Sequence, residues 1–195
     1  MKFYLVRHGE TDKNLEKVLQ GRINTKLNEN GIRQAETAAA HFAKLGIRFD
    51  RIWSSPLDRA LQTARIIAGE QTELMTDERL LEMEYGPYEG RSFAEPDPEL
   101  TRFFSDFAHE PAPEGMEQLP DIVERLGDFL TSIRSEEEGN VLIATHAIAL
   151  KGALEYLAPE PDGAGWYRNV GNCSVYVTEY KDGKYSRPEE FFRLP

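Results

Sequence analysis

The stretch Asn140-Val141-Leu142-Ile143-Ala144-Thr145 places apolar side chains at successive positions, so neither face of it suits water. A strand that is apolar on both faces has to be covered on both. That is the condition of a parallel sheet clothed by helices, not of an antiparallel sheet with one wet side. The chain supplies the cover. AIALKGALEYL (147–157) reads as a helix directly after this strand, and Leu119, Ile122, Val123, Leu126, Phe129, Leu130 and Ile133 recur at helical spacing before it. KFYLV (2–6), DRIWSS (50–55) and TELMT (72–76) read as further strands. Asn28 is placed to N-cap a helix carrying Ile32, Ala35, Ala38, Ala39, Phe42 and Leu45, with Gly46 to end it. Ser55-Pro56-Leu57-Asp58 reads as another helix start, with Ser55 as N-cap, Pro56 first and Asp58 third. CSVYVTEY and KYSRPEEFF flank Lys181-Asp182-Gly183, a hairpin signal.

Strands alternating with helices give the expected fold class: α/β, a three-layer sandwich with a mostly parallel central sheet covered by helices on both faces, and a mixed edge at the C-terminal end. The 195 residues suffice for one domain spanning 1–195. Residues 86–117, with Pro87, Pro96, Pro98, Pro111 and Pro113, form an irregular excursion in which Phe103, Phe104 and Phe107 serve packing or line a substrate mouth.

Charge narrows the partners. The net charge of −11 argues against nucleic acid and against an anionic membrane surface. No apolar run approaches the ~20 residues of a membrane span, and the N-terminal apolar run is too short for a secretory signal. The lone Cys173 has no internal disulfide partner and fits a reducing cytoplasm, as a small buried hydrophobe. The acid is concentrated: residues 66–140 hold twenty Asp/Glu against five Lys/Arg, whereas residues 1–35 hold seven Lys/Arg against four Asp/Glu.

The strand ends carry the chemistry. KFYLV runs straight into Arg7-His8, NVLIAT into His146, and DRIWSS into a helix whose first turn holds Arg59. Ligands of open α/β sheets bind beyond the carboxyl ends of the strands, so these four side chains meet if the strands are neighbours. Arginines supply bidentate forks for phosphate or carboxylate. Helix N-termini add backbone donors, and an imidazole kept neutral by nearby arginines can act as a nucleophile. Phosphoryl transfer through a phosphohistidine fits this set. Metal binding does not, because two arginines would repel a divalent ion and no spacing resembles a zinc site. His41, on the polar side of its helix, and His109, in the Pro-rich stretch, read as structural.

LVRHGET (5–11) resembles the signature of the histidine phosphatase superfamily, the phosphoglycerate-mutase-like enzymes. LQGRINTKLNENGIRQAE, SSPLDRALQTA, LLEMEYGPYEG, GMEQLPDIVERL and VLIATHAIAL follow in the family's order. The resemblance implies that His8 is the nucleophile, that Arg7, Arg59 and His146 hold the phosphate oxygens, and that Asn14 is a further donor. It places Gln20 and Gly21 at the rim and makes Glu82 the acid that protonates the leaving oxygen and then activates water. It implies a small phosphorylated substrate, no cofactor, no metal, and a monomer or homodimer. Ala147 stands where the family usually has Gly, which still leaves a backbone N–H for phosphate. Asn24 and Thr25 replace an Asp and a nearby Pro.

Cofactor-dependent mutases of this family read Glu-Arg-His-Tyr-Gly where this chain reads Glu82-Met83-Glu84-Tyr85-Gly86. Losing a cation and gaining an anion there favours a phosphatase of small phosphomonoesters over a mutase. An inactive phosphate-binding domain is the remaining alternative, against which both His8 and Glu82 are present. No G-x-G-x-x-G follows the first strand, so a dinucleotide site is not expected.

Overall fold

The computed structural model describes residues 1–95 and 97–194. Seven strands form one sheet: β1 (Lys2–Arg7), β2 (Arg51–Ser54), β3 (Leu74–Thr76), β4 (Asn140–Thr145), β5 (Val175–Lys181), β6 (Lys184–Tyr185) and β7 (Glu189–Phe192). Their order is β3-β2-β4-β1-β5-β6, with β7 also on β5. β3, β2, β4 and β1 run parallel. β5 lies antiparallel to β1 and forms the mixed side of the sheet with β6 and β7.

The period of two along each strand divides the core into two layers. Phe3, Leu5, Val141 and Ile143 face α5 (Leu119–Ile133) and α6 (Ala147–Leu157), while Tyr4, Val6, Ile52, Leu142 and Ala144 face α2 (Glu29–Lys44) and α3 (Asp58–Ala68). The sandwich therefore has the three layers expected of strands apolar on both sides. Asn28 caps α2 by accepting from the Gly31 N–H at 2.8 Å.

Two registers matter for the site. Arg7 pairs with Thr145 across β1 and β4, and Ser54 pairs with Ala144 across β2 and β4. β4 lies between the other two strands, so all three motif-bearing ends open at one edge of the sheet.

The excursion is tied back onto this edge. A short α1 (Asp12–Leu15) is followed by residues 17–20, against which residues 90–93 lie. Leu19 N–H donates to Arg91 O at 2.9 Å, Gly90 N–H to Leu19 O at 2.8 Å and Phe93 N–H to Lys17 O at 2.9 Å. α4 (Pro98–Ser105), capped by Asp97, then sends Phe103 into the core. Phe107 is buried beside Phe103, with their ring centroids 4.8 Å apart.

One expected boundary is corrected. Ser55 is not an N-cap: α3 begins at Asp58, after Leu57, with no side-chain capping bond. The Ser55 hydroxyl is used elsewhere, on His146 Nε2 at 2.7 Å. The α3 start does without it, because the Asp58 N–H donates to Asn24 Oδ1 at 2.8 Å, whereas a buried imidazole nitrogen without a partner would be costly.

Candidate active site

His8 continues the β1 ladder beyond the strand, its N–H donating to Thr145 O at 2.9 Å. Its side chain is buried, and Nδ1 lies 2.7 Å from Gly9 O. A carbonyl only accepts, so Nδ1 carries the hydrogen and Nε2 keeps its lone pair. Burial first, then the Arg59 and Arg7 charges, hold this imidazole well below its ordinary 6.5, the Gly9 bond pulling weakly the other way. The ring is thus a neutral base with one free nitrogen.

His146 is fully buried, 5.1 Å from His8 between ring centroids. Arg59 Nε–H donates to its Nδ1 at 3.2 Å, and its Nε2–H donates to Ser55 Oγ. Desolvation, with Arg59 next, also lowers its pKa well below 6.5. The structure therefore brings His146 to His8 but places it behind Arg59, off the cleft wall, with both ring nitrogens engaged.

The two arginines face the same cleft. Arg59, 1% exposed, gives Nη1 to Ile23 O and Nη2 to Gly21 O, both at 2.8 Å. Burial brings it down to about 10, with Glu82 the largest opposing influence. Arg7 gives Nη1 to Val170 O at 2.7 Å, while its buried Nε has no partner among the described residues. Burial lowers its pKa as well. Their hydrogen bonds go to backbone carbonyls and to His146 rather than to carboxylates, so no carboxylate is hydrogen-bonded to either guanidinium and both can serve an anion entering the cleft.

Glu82 crowns the start of α6. Its Oε1 accepts from the N–H groups of Met83, Ile148 and Ala149, and its Oε2 from those of Ala147 and Ile148, at 3.0–3.3 Å. The Ala147 N–H, expected to face phosphate, is therefore committed to Glu82, and only the rest of Ala147 lines the cleft. A negative group at a helix N-terminus is in its favoured place.

The cleft encloses ≈ 290 Å³, and Arg7, His8, Arg59 and Glu82 all reach it. Asn14, Gln20 and Gly21 stand on its wall. Asn14 Oδ1 accepts from the Thr11 N–H at 3.1 Å, which leaves its Nδ2 donors for the cleft. Gln20 Oε1 is likewise fixed by Thr11 and Thr25 hydroxyls at 2.9 and 2.8 Å. Sequence reasoning missed Ser55 as the partner of His146, and Tyr85, Val18, Leu19, Phe93 and Ile148 as cleft residues. Only the strand order could reveal Ser55, since β2 and β4 are far apart in the chain.

A family model described as the histidine phosphatase superfamily, branch 1, matches residues 3–188. The chain belongs to the histidine phosphatase superfamily. A relative from Thermoplasma acidophilum, named 2,3-bisphosphoglycerate-dependent phosphoglycerate mutase, is 33% identical over 92% of this chain and 88% of its own. Among solved structures, Bacillus stearothermophilus YhfR is 30% identical with a TM-score of 0.86, over 95% of this chain and 94% of that one. Phosphoserine phosphatase of Entamoeba histolytica, solved with 3-phosphoglyceric acid, is 29% identical with a TM-score of 0.80, over 95% and 93%. The sandwich is thus that of the histidine phosphatases, and the chain is an enzyme of that type. None of the helices among its described residues is long and apolar enough to cross a membrane.

Proposed function

We propose that this histidine phosphatase hydrolyses small phosphomonoesters through a phosphohistidine on His8. The observation that carries the reading is a neutral His8 with its Nδ1 hydrogen fixed on Gly9 O, set in a cleft lined by two arginines. In the first step His8 Nε2 bonds to phosphorus while the bond from phosphorus to the ester oxygen breaks. Glu82 enters this step as the carboxylic acid and gives its proton to the leaving oxygen, which turns it into the carboxylate that the α6 N–H groups hold. Arg7 Nε, the remaining Arg59 donors and Asn14 Nδ2 stabilise the charge on the transferring phosphoryl oxygens. In the second step Glu82 takes a proton from water, the hydroxide bonds to phosphorus, the bond from phosphorus to nitrogen breaks, and His8 returns neutral. His146 works through Arg59, whose Nε it holds in place, and Ser55 orients His146 in turn.

Hydrolysis over mutase activity is supported by the rim. Glu84 forms a 2.8 Å ion pair with Arg22, and Met83 is buried, so this stretch offers no cation to a second phosphate. The test is His8→Ala assayed on a panel of phosphomonoesters together with trapping of acid-labile phosphoprotein. The variant should lose about 10³-fold or more in turnover and form no phosphoprotein. Undiminished hydrolysis by His8→Ala would sink the mechanism, and efficient interconversion of the monophosphoglycerates by the unaltered chain would replace phosphatase by mutase.

A further inference from the structure

The cleft is divided in its chemistry. The half described above holds the phosphoryl group. The other half is formed by Val18, Leu19, Phe93, Phe104 and Ile148, and no step of the mechanism uses their side chains. Phe93 is 56% exposed, an aromatic ring left in water at the mouth. Its centroid lies 5.4 Å from that of Phe104, at 63°. Phe104 in turn stacks on the buried Phe107, 5.8 Å away and nearly parallel, and leans on Phe103 at 5.1 Å. Phe104 is thus a platform fixed from behind, while the Phe93 backbone is pinned to Lys17 O. A preformed apolar wall loses little freedom when a ligand covers it.

Charge says what that ligand lacks. Among the described residues lining the cleft, the basic ones are Arg7 and Arg59, both at the phosphoryl end. Arg22, next in the chain to the cleft residue Gly21 but not itself on the cleft wall, is paired with Glu84. A carboxylate on the leaving group would find an aromatic wall and no free cation, and burying it unpaired is costly.

Building on the phosphatase reading, we infer that the preferred substrates are phosphomonoesters of apolar, ring-bearing alcohols without a second anionic group, with Phe104 and Phe93 as the specificity-determining residues. Phosphoserine and 3-phosphoglycerate are then poor substrates, although solved relatives are named for or bind such compounds.

The experiment compares kcat/KM for 2-phenylethyl phosphate, ethyl phosphate, phosphoserine and 3-phosphoglycerate. All four are esters of aliphatic alcohols, so leaving-group basicity differs little and the comparison reports on contacts to the departing group. Covering the ring should favour 2-phenylethyl over ethyl phosphate by about tenfold or more. Phe104→Ala should erase most of that advantage while leaving ethyl phosphate within about twofold. Phe93→Ala, at an exposed position where folding is not at stake, should erase part of it. Glu84→Gln, which frees Arg22, should raise the phosphoserine rate. A preference for phosphoserine or 3-phosphoglycerate in the unaltered enzyme, or equal losses on ethyl and phenylethyl esters in both Phe variants, overturns this inference and leaves the phosphatase reading standing. Hydrolysis of none of the four, or hydrolysis unaffected by His8→Ala, overturns the phosphatase reading and this inference with it.

Discussion

His8 and His146 are both buried beside guanidinium groups, and both are held neutral for the same reason: a charged imidazole there would lose its hydration and meet Arg59. This has a consequence for stability. An unfolded histidine takes a proton near pH 6.5, whereas these two, folded, do so only at lower pH, so the unfolded state binds more protons in between. Stability is full above that window and falls as pH drops through it, by up to about 1.4 kcal/mol per pH unit for each histidine. Urea midpoints taken from about pH 7 down to about pH 5 should show the fall, and His8→Asn should make it shallower; an unchanged slope would contradict the neutral assignment. Ser55→Ala strands the His146 Nε2–H in a dry site and should cost about 1–3 kcal/mol, read by thermal melting, with kcat lowered more than KM. The sequence marks His8, Arg7, Arg59 and His146 because each follows a legible strand. It does not mark Ser55, whose hydroxyl reads locally as a cap until β2 is laid beside β4.

The loop after β1 and the first turn of α2 meet as two backbones. A Cβ on Gly31 would come within 2.1 Å of Glu10 O, and one on Gly9 within 2.5 Å of Gly31 O. The contact is locked by Asn28 N–H on Glu10 O at 3.0 Å and by the Asn28 and Asn30 amides on the Glu10 carboxylate. This places Gly9, and with it the carbonyl that fixes the His8 tautomer. Gly31→Ala should therefore destabilise by about 2 kcal/mol or more in urea titration, although Ala is the better helix former by about 1 kcal/mol, because overpacking against backbone exceeds the propensity gain. The long periodic elements were readable: α5, α6, β1 and β4 stand within a residue or two of where their apolar patterns put them. The start of α3 was not, because the competing bond belongs to another strand. The excursion was readable only as irregular, since the hydrogen bonds that order residues 90–93 run to residues 17–20.

Across the whole molecule, an acidic chain of net charge −11 concentrates two arginines, Arg7 and the buried Arg59, at one edge of the sheet. Inorganic phosphate should bind there and raise the melting temperature. At about 100 times its dissociation constant the gain is about 2.7 kcal/mol, or several degrees for a chain of this size, beyond a chloride control of equal ionic strength. No shift would argue against the pocket. The sequence by itself determined the class of fold, because strands apolar on both faces have to be covered twice. It also pointed to the chemical groups, not because an arginine or histidine at a strand end is telling alone, but because Arg7-His8, Arg59 and His146 follow three strands whose ends can meet. Only the tertiary structure decided that β4 lies between β1 and β2, which gathers four separate side chains at one end of the sheet, three of them on the cleft wall. It also decided that His146 stands behind Arg59, that Glu82 takes the α6 N-terminus, and that Phe104 faces the cleft while Phe103 and Phe107 support it. Local patterns record which side chains must leave water; which buried groups then meet is set by strand order and register, and no short window of sequence contains those.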